Sequence, residues 1–118
     1  MALEILNNAL EARIFPALAW QFGVSATRLR VFDAFIVKYA AGAQRSLPLH
    51  TDQSILSGTI ALNCLGEFEG GGTWFEDLQM AIRVPKGHSI TFNGSAEHAG
   101  QAITKGVRYI LALFFYAV

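Results

Sequence analysis

From residue 29 onward the chain is cut into short β-rich runs by glycine- and proline-bearing turn signals, a pattern that restricts it to an antiparallel β fold. The runs cover 30–39, 55–65, 73–75, 80–84, 89–92 and 108–116, each dense in β-branched or aromatic residues. Ala40-Ala41-Gly42, Gly66, Gly70-Gly71-Gly72, Pro85-Lys86-Gly87, Asn93-Gly94 and Lys105-Gly106 punctuate them. Ahead of the runs, Leu3, Leu6, Leu10, Ile14 and Leu18 recur at three- and four-residue steps. That period predicts an amphipathic helix over residues 2 to about 22. Pro16 breaks or restarts it, since proline brings no N–H to the helical ladder. Short strands after one helix predict a mainly β fold with an N-terminal helix, a sandwich or barrel with the helix packed outside. A chain of 118 residues closes one hydrophobic core and not two. The expected organisation is one domain over 1–118, with 1–28 as helical support and 29–118 as the β core.

Charge narrows the function classes. Nine basic residues balance nine acidic ones, so no broad positive field draws the chain to nucleic acid or to an anionic membrane. No run approaches the roughly 18 apolar residues that span a bilayer. The N-terminus carries Glu4 and Glu11 and no basic leader, which argues against a secretory signal. A lone Cys64 forms no internal disulfide. Together these predict a soluble, cytoplasmic protein with neither nucleic-acid nor membrane partner. Gly70-Gly71-Gly72 is read as a turn or bulge, because no Gly-Lys-Ser/Thr follows it. Within 55–65, Ser57, Thr59, Ala61 and Asn63 alternate with Leu56, Gly58, Ile60, Leu62 and Cys64. The small polar face lines a cavity or meets solvent; Cys64 falls on the apolar face and is assigned to the core.

Four polar side chains stand out against this background. His50 and Asp52 flank Thr51, and in an extended strand alternate side chains share a face. That is two metal ligands of three. His98, 46 residues after Asp52, completes a two-histidine, one-carboxylate face if it lies on a later strand. Such a face favours non-haem Fe(II) and leaves coordination positions open; a thiolate set would instead suggest zinc or a cluster. Arg108 lies inside an apolar run over 107–115, where a buried cation is costly unless paired. Its partner is either an anionic ligand, held by two parallel hydrogen bonds, or an internal carboxylate. Tyr39 ends a strand shortly before His50, where its hydroxyl reaches the same cavity or packs in the core with a wet tip. His88 sits in a turn signal and is expected to be exposed.

The order of these pieces matches a known family. Val37-Lys38-Tyr39, Leu49-His50-Thr51-Asp52, Ala61-Leu62-Asn63, Gly70 through Phe75, Pro85-Lys86-Gly87, and His98 through Leu111 resemble the 2-oxoglutarate- and Fe(II)-dependent dioxygenases, most closely their prolyl 4-hydroxylase-like branch. The resemblance covers residues from about 32 to 115. It implies a double-stranded β-helix, or jelly roll, with Fe(II) held by His50, Asp52 and His98. Arg108 would grip the distal carboxylate of 2-oxoglutarate, with Tyr39 and Thr73 lining its pocket. It also implies consumption of O2, ascorbate as reductant, and release of succinate and CO2. The implied substrate is a peptide or small molecule, hydroxylated on an unactivated C–H bond of a prolyl residue or of proline. Three departures stand out. Collagen-type prolyl hydroxylases use lysine where this chain has Arg108, Ala61 replaces a larger residue that anchors 2-oxoglutarate in some relatives, and Phe114 stands where the nucleic-acid demethylase branch has a second arginine. The rival readings are a non-catalytic jelly-roll binding module and a cupin-like metalloenzyme that does not use 2-oxoglutarate.

Overall fold

The computed structural model describes residues 2–118; Met1 and the side chain of Leu3, first of the helical series, lie outside the described residues. The chain divides into two compact units, Met1–Arg30 with Tyr116–Val118, and Val31–Phe115.

In the first unit, α1 (Ala2–Ala9) and α2 (Phe15–Phe22) are joined by a π turn over Leu10–Ile14. Pro16 therefore restarts the helix without ending it. The Phe15 N–H reaches back to the Leu10 carbonyl, five residues away as a π turn requires, and the proline ring falls in the first turn of α2, where a missing N–H costs least. Gly23 closes α2 in the left-handed conformation, its N–H on the Ala19 carbonyl. Leu10 and Leu18 are buried and Leu6 and Ile14 half-buried, as the three- and four-residue spacing predicts. Among the described residues no helix is long and apolar enough to cross a membrane.

The second unit contains two sheets. The strands are β1 (Leu29–Ala40, from Val31 on), β2 (Leu47–His50), β3 (Leu56–Ala61), β4 (Phe68–Gly70), β5 (Thr73–Phe75), β6 (Met80–Ile82), β7 (Ser89–Asn93), β8 (His98–Gly100) and β9 (Ile103–Ala117, as far as Phe115). One sheet runs β1-β9-β3-β7 with β4 beside β9, and the other runs β2-β8-β5-β6. This is the expected mainly β jelly roll, a double-stranded β-helix preceded by a helix. In the first sheet β3 pairs antiparallel with both neighbours, Ser57 opposite Phe92 on β7 and Phe114 on β9. Period-two alternation on β9 sends Arg108, Ile110, Ala112 and Phe114 to one face and Leu111, Leu113 and Phe115 to the other. Tyr39, Phe68, Ile103 and Ile110 form a buried cluster, with Val37, Leu47 and Leu65 packed against it.

Sequence pattern and structure part company in three places. Cys64 is exposed and not in the core. β3 stops at Ala61, and Cys64 precedes a 3-10 turn over Leu65–Glu67 in which its N–H bonds Glu67 Oε2 at 3.3 Å, so strand alternation no longer governs it. Lys105-Gly106 does not end a strand. Gly106 takes φ of +80° inside β9, which begins at Ile103, five residues before the expected 108, and the register with β4 slips between Lys105 and Ile103. Short β2, β4 and β8 were hidden in segments without strand-like composition. Gly70-Gly71-Gly72 is the expected turn, joining β4 to β5 with φ of +72°, +73° and +101°, a run that only glycine adopts without strain.

Phe115 is fully buried and its ring closes over Gly58, where an added Cβ would lie 3.3 Å away. Phe115→Ala is expected to cost about 3–5 kcal/mol, read as a lower denaturant midpoint at unchanged slope.

Candidate functional site

Three chain segments bring His50, Asp52 and His98 together. His50 ends β2, His98 opens β8, and the two face each other across the β2–β8 ladder. Asp52 lies just past β2 in a loop, so the shared face comes from tethering and not from strand alternation alone. The Asp52 N–H donates to the Gly94 carbonyl at 2.8 Å, and the Gly94 N–H to the Ile55 carbonyl at 3.0 Å. That lashes the loop to the turn that delivers His98.

His50 Nε2 and His98 Nε2 stand 3.4 and 3.5 Å from Asp52 Oδ1, and all three candidate ligand atoms lie within 4.8 Å of one another. The opposite ring nitrogens are committed. His50 Nδ1 lies 2.7 Å from the Pro48 carbonyl and His98 Nδ1 2.8 Å from the Ala96 carbonyl. A carbonyl only accepts, so each Nδ1 carries a proton, and in the neutral imidazole each Nε2 then presents a lone pair. On Asp52, Oδ2 accepts from Ser57 Oγ at 2.6 Å, and Ser57 Oγ lies 2.7 Å from Ser54 Oγ, leaving Oδ1 as the free donor. Two imidazole nitrogens and one carboxylate oxygen suit a divalent iron with open positions. Bonds of about 2.1 Å at right angles put donors about 3 Å apart, so contacts of 3.4 and 3.5 Å need only a small contraction. The donor set fits the metal.

Phe92 and Phe75 pack around the His98 ring, with centroids 4.6 and 6.2 Å away. The three side chains open into a cavity of about 70 Å³, room for several waters or a small ligand by the usual scale of about 10–15 Å³ for one water. Ser57 and Thr59 line it, so the polar face of β3 meets a cavity and not solvent. Tyr39 and Thr73 lie in its wall.

Arg108 is 7% exposed. It donates to the Gly72 carbonyl at 3.2 Å and to Thr73 Oγ1 at 3.4 Å, and its guanidinium carbon stands 5.3 Å from the Tyr39 ring centre. Among the described residues no carboxylate stands within ion-pair distance of Arg108. The expected alternative, an internal carboxylate, is not found among the described residues. Arg108 lines a second, smaller cavity, which shares Thr59 and Ile110 with the first and includes Ala61 in its wall. Burial lowers the Arg108 pKa; Tyr39 opposes that shift and Arg83 adds to it. Burial also raises the Tyr39 pKa, with Arg108 opposing. Tyr39 fits beneath the guanidinium because residue 100 is glycine, where a Cβ would sit 2.6 Å from the tyrosine oxygen.

The structure thus gathers His50, Asp52 and His98 at one end and Tyr39, Thr73 and Arg108 at the other. His88 is exposed in its turn and belongs to neither group. Sequence reasoning gave no role to Ser57, although it lay on the polar face of its run, or to Arg83, a cation in a run of β-rich residues.

No protein-family model matches the chain. Procollagen-lysine,2-oxoglutarate 5-dioxygenase 1 of Mus musculus is 40% identical over 92 residues, 75% of this chain and 13% of that protein. The chain thus matches about an eighth of the length of that curated relative. A 2OG-Fe(II) oxygenase family oxidoreductase from Burkholderia pseudomallei superposes with a TM-score of 0.77 at 18% identity, covering 95% of this chain and 54% of that one. A truncated viral collagen prolyl hydroxylase from Paramecium Bursaria Chlorella virus-1 gives 0.72 at 19% identity, covering 94% of this chain and 69% of the other. The chain belongs to the 2-oxoglutarate- and Fe(II)-dependent dioxygenase superfamily, whose members use Fe(II), 2-oxoglutarate and O2.

Two predictions come from this geometry. Ser57→Ala strips Asp52 Oδ2 of its donor, and divalent-ion binding should weaken roughly 10- to 100-fold in a chelator-competition titration with Mn(II). A raised tyrosine pKa contributes stability that is complete below the unfolded value of about 10 and is lost as pH rises through the folded value. Tyr39→Phe should therefore flatten the loss of stability above about pH 10, followed by denaturant titration across that range.

Proposed function

We propose that this chain is the catalytic core of a hydroxylase that inserts oxygen into an unactivated C–H bond of a peptide side chain. The observation that carries the reading is the convergence of two Nε2 lone pairs and Asp52 Oδ1 on one point of a cavity wall. The buried, carboxylate-free Arg108 beside Thr73 supports it. His50, Asp52 and His98 hold Fe(II), and their Nδ1 and Oδ2 hydrogen bonds keep all three in ligating form before the metal arrives. An iron held there would supply the oxidising chemistry with 2-oxoglutarate and O2, with succinate and CO2 as the co-products. Arg108 and Thr73 hold the far carboxylate of 2-oxoglutarate, and the Tyr39 ring fixes the guanidinium plane. Phe75 and Phe92 keep water from the His98 side of the site.

On the residue oxidised, this reading favours a lysyl side chain in a peptide. The curated relative at 40% identity is named for procollagen lysine, and Arg108 occupies the position where collagen-type prolyl hydroxylases use lysine. The prolyl alternative stays within the same mechanism.

Anaerobic addition of Fe(II) and 2-oxoglutarate should produce a visible charge-transfer band that His98→Ala abolishes. Absence of the band in the intact protein would sink the reading, and with it the choice against a non-catalytic module. Succinate release on admitting O2, and a gain of one oxygen atom on lysine-bearing but not proline-bearing peptides by mass spectrometry, test the substrate. Arg108→Met should raise the 2-oxoglutarate concentration needed for half-maximal turnover at least roughly tenfold, the scale of one lost charged hydrogen bond.

A further inference from the structure

The smaller cavity holds a second guanidinium that the reading above leaves unused. Thr59, Asn63, Phe68, Gly72, Arg83 and Arg108 are among its walls. The Arg83 guanidinium carbon lies 5.0 Å from the Phe68 ring centre, and Nη2 donates to the Leu65 and Phe68 carbonyls at 3.4 Å, long bonds to neutral acceptors that leave its charge without a counter-ion. Gly72 stands between the two arginines. Its carbonyl accepts from Arg108, and a Cβ there would lie 2.8 Å from Arg83 Cγ, so the glycine lets the Arg83 stem pass. Neither guanidinium has a carboxylate partner among the described residues. Two like charges facing one small cavity repel, and each weakens the other until an anion arrives.

We propose that Arg83 is a second cationic contact for the distal carboxylate of a 2-oxo diacid, and that the Arg83–Arg108 pair makes the site select a dicarboxylate over a monocarboxylate. The inference rests on the 2-oxoglutarate reading of the site. A carboxylate offers two oxygens with about four lone-pair sites, enough for Arg108, Thr73 and one further donor. Phe68 fixes the Arg83 plane, which reduces the rotamer freedom lost on binding. Because Arg83 is exposed, its contribution should fall with added salt.

The test is calorimetric titration of the Mn(II)-loaded full chain, which binds without turning over, with 2-oxoglutarate and with 2-oxobutanoate, a 2-oxo acid lacking the distal carboxylate. Arg83→Gln should weaken the diacid about tenfold, the scale of one charge-assisted contact, and leave the monoacid within about twofold. Arg83→Lys should recover part of the loss, with thermal midpoint and Mn(II) affinity unchanged in both variants. Equal weakening of both acids, or diacid binding by Arg83→Gln within about twofold of the parent, overturns the proposal. If the parent chain itself fails to prefer the diacid, the 2-oxoglutarate reading falls first, and Arg83 falls with it.

Discussion

The Asp52 carboxylate is the joint on which the rest of this architecture depends. One oxygen is held by Ser57 on β3 of the first sheet, and the other faces His50 and His98 on the second. A single side chain therefore bridges the two sheets across the cavity that separates them. A buried carboxylate is expensive unless its oxygens are satisfied. Here every committed polar atom around it has a backbone or hydroxyl partner, and the atoms left over are those that point at one another. The backbone of the same residue is fastened to Gly94, so the geometry does not rely on the carboxylate alone.

That arrangement explains which parts of the fold were legible in the sequence. β5, β7 and the body of β9 announced themselves through apolar density and turn residues, because their side chains meet the core. β2 and β8 did not: they are short, and the residues that matter on them are His50, His98 and Gly100, none with strand propensity. The site residues were nevertheless readable, since a histidine, a carboxylate and a buried arginine announce chemistry whatever element holds them. Cys64 was misplaced for a related reason. Alternation is a property of a strand, and nothing in Leu62-Asn63-Cys64-Leu65 says that the strand has already ended at Ala61. Arg83 was overlooked because its meaning is relational. A cation at the end of a short run is ordinary until the fold brings it to the cavity that Arg108 lines.

The two ends of the site are stabilised in opposite ways. At the His50–Asp52–His98 end, each ligand is held by a hydrogen bond through the atom that does not ligate, so the donor set is pre-organised at little further cost on binding. At the arginine end the protein keeps a buried cation with a carbonyl, a hydroxyl and an aromatic face as partners, and no carboxylate beside it among the described residues. Burying such a group disfavours the empty fold, and on the proposed reading an entering anion would relieve the deficit. A site that is satisfied at its metal end and short of a charge at its far end discriminates by length as well as by chemistry. On the proposed reading a ligand would chelate at one end and deliver a carboxylate at the other, and a molecule meeting only one condition would leave either the metal end or the guanidinium unanswered.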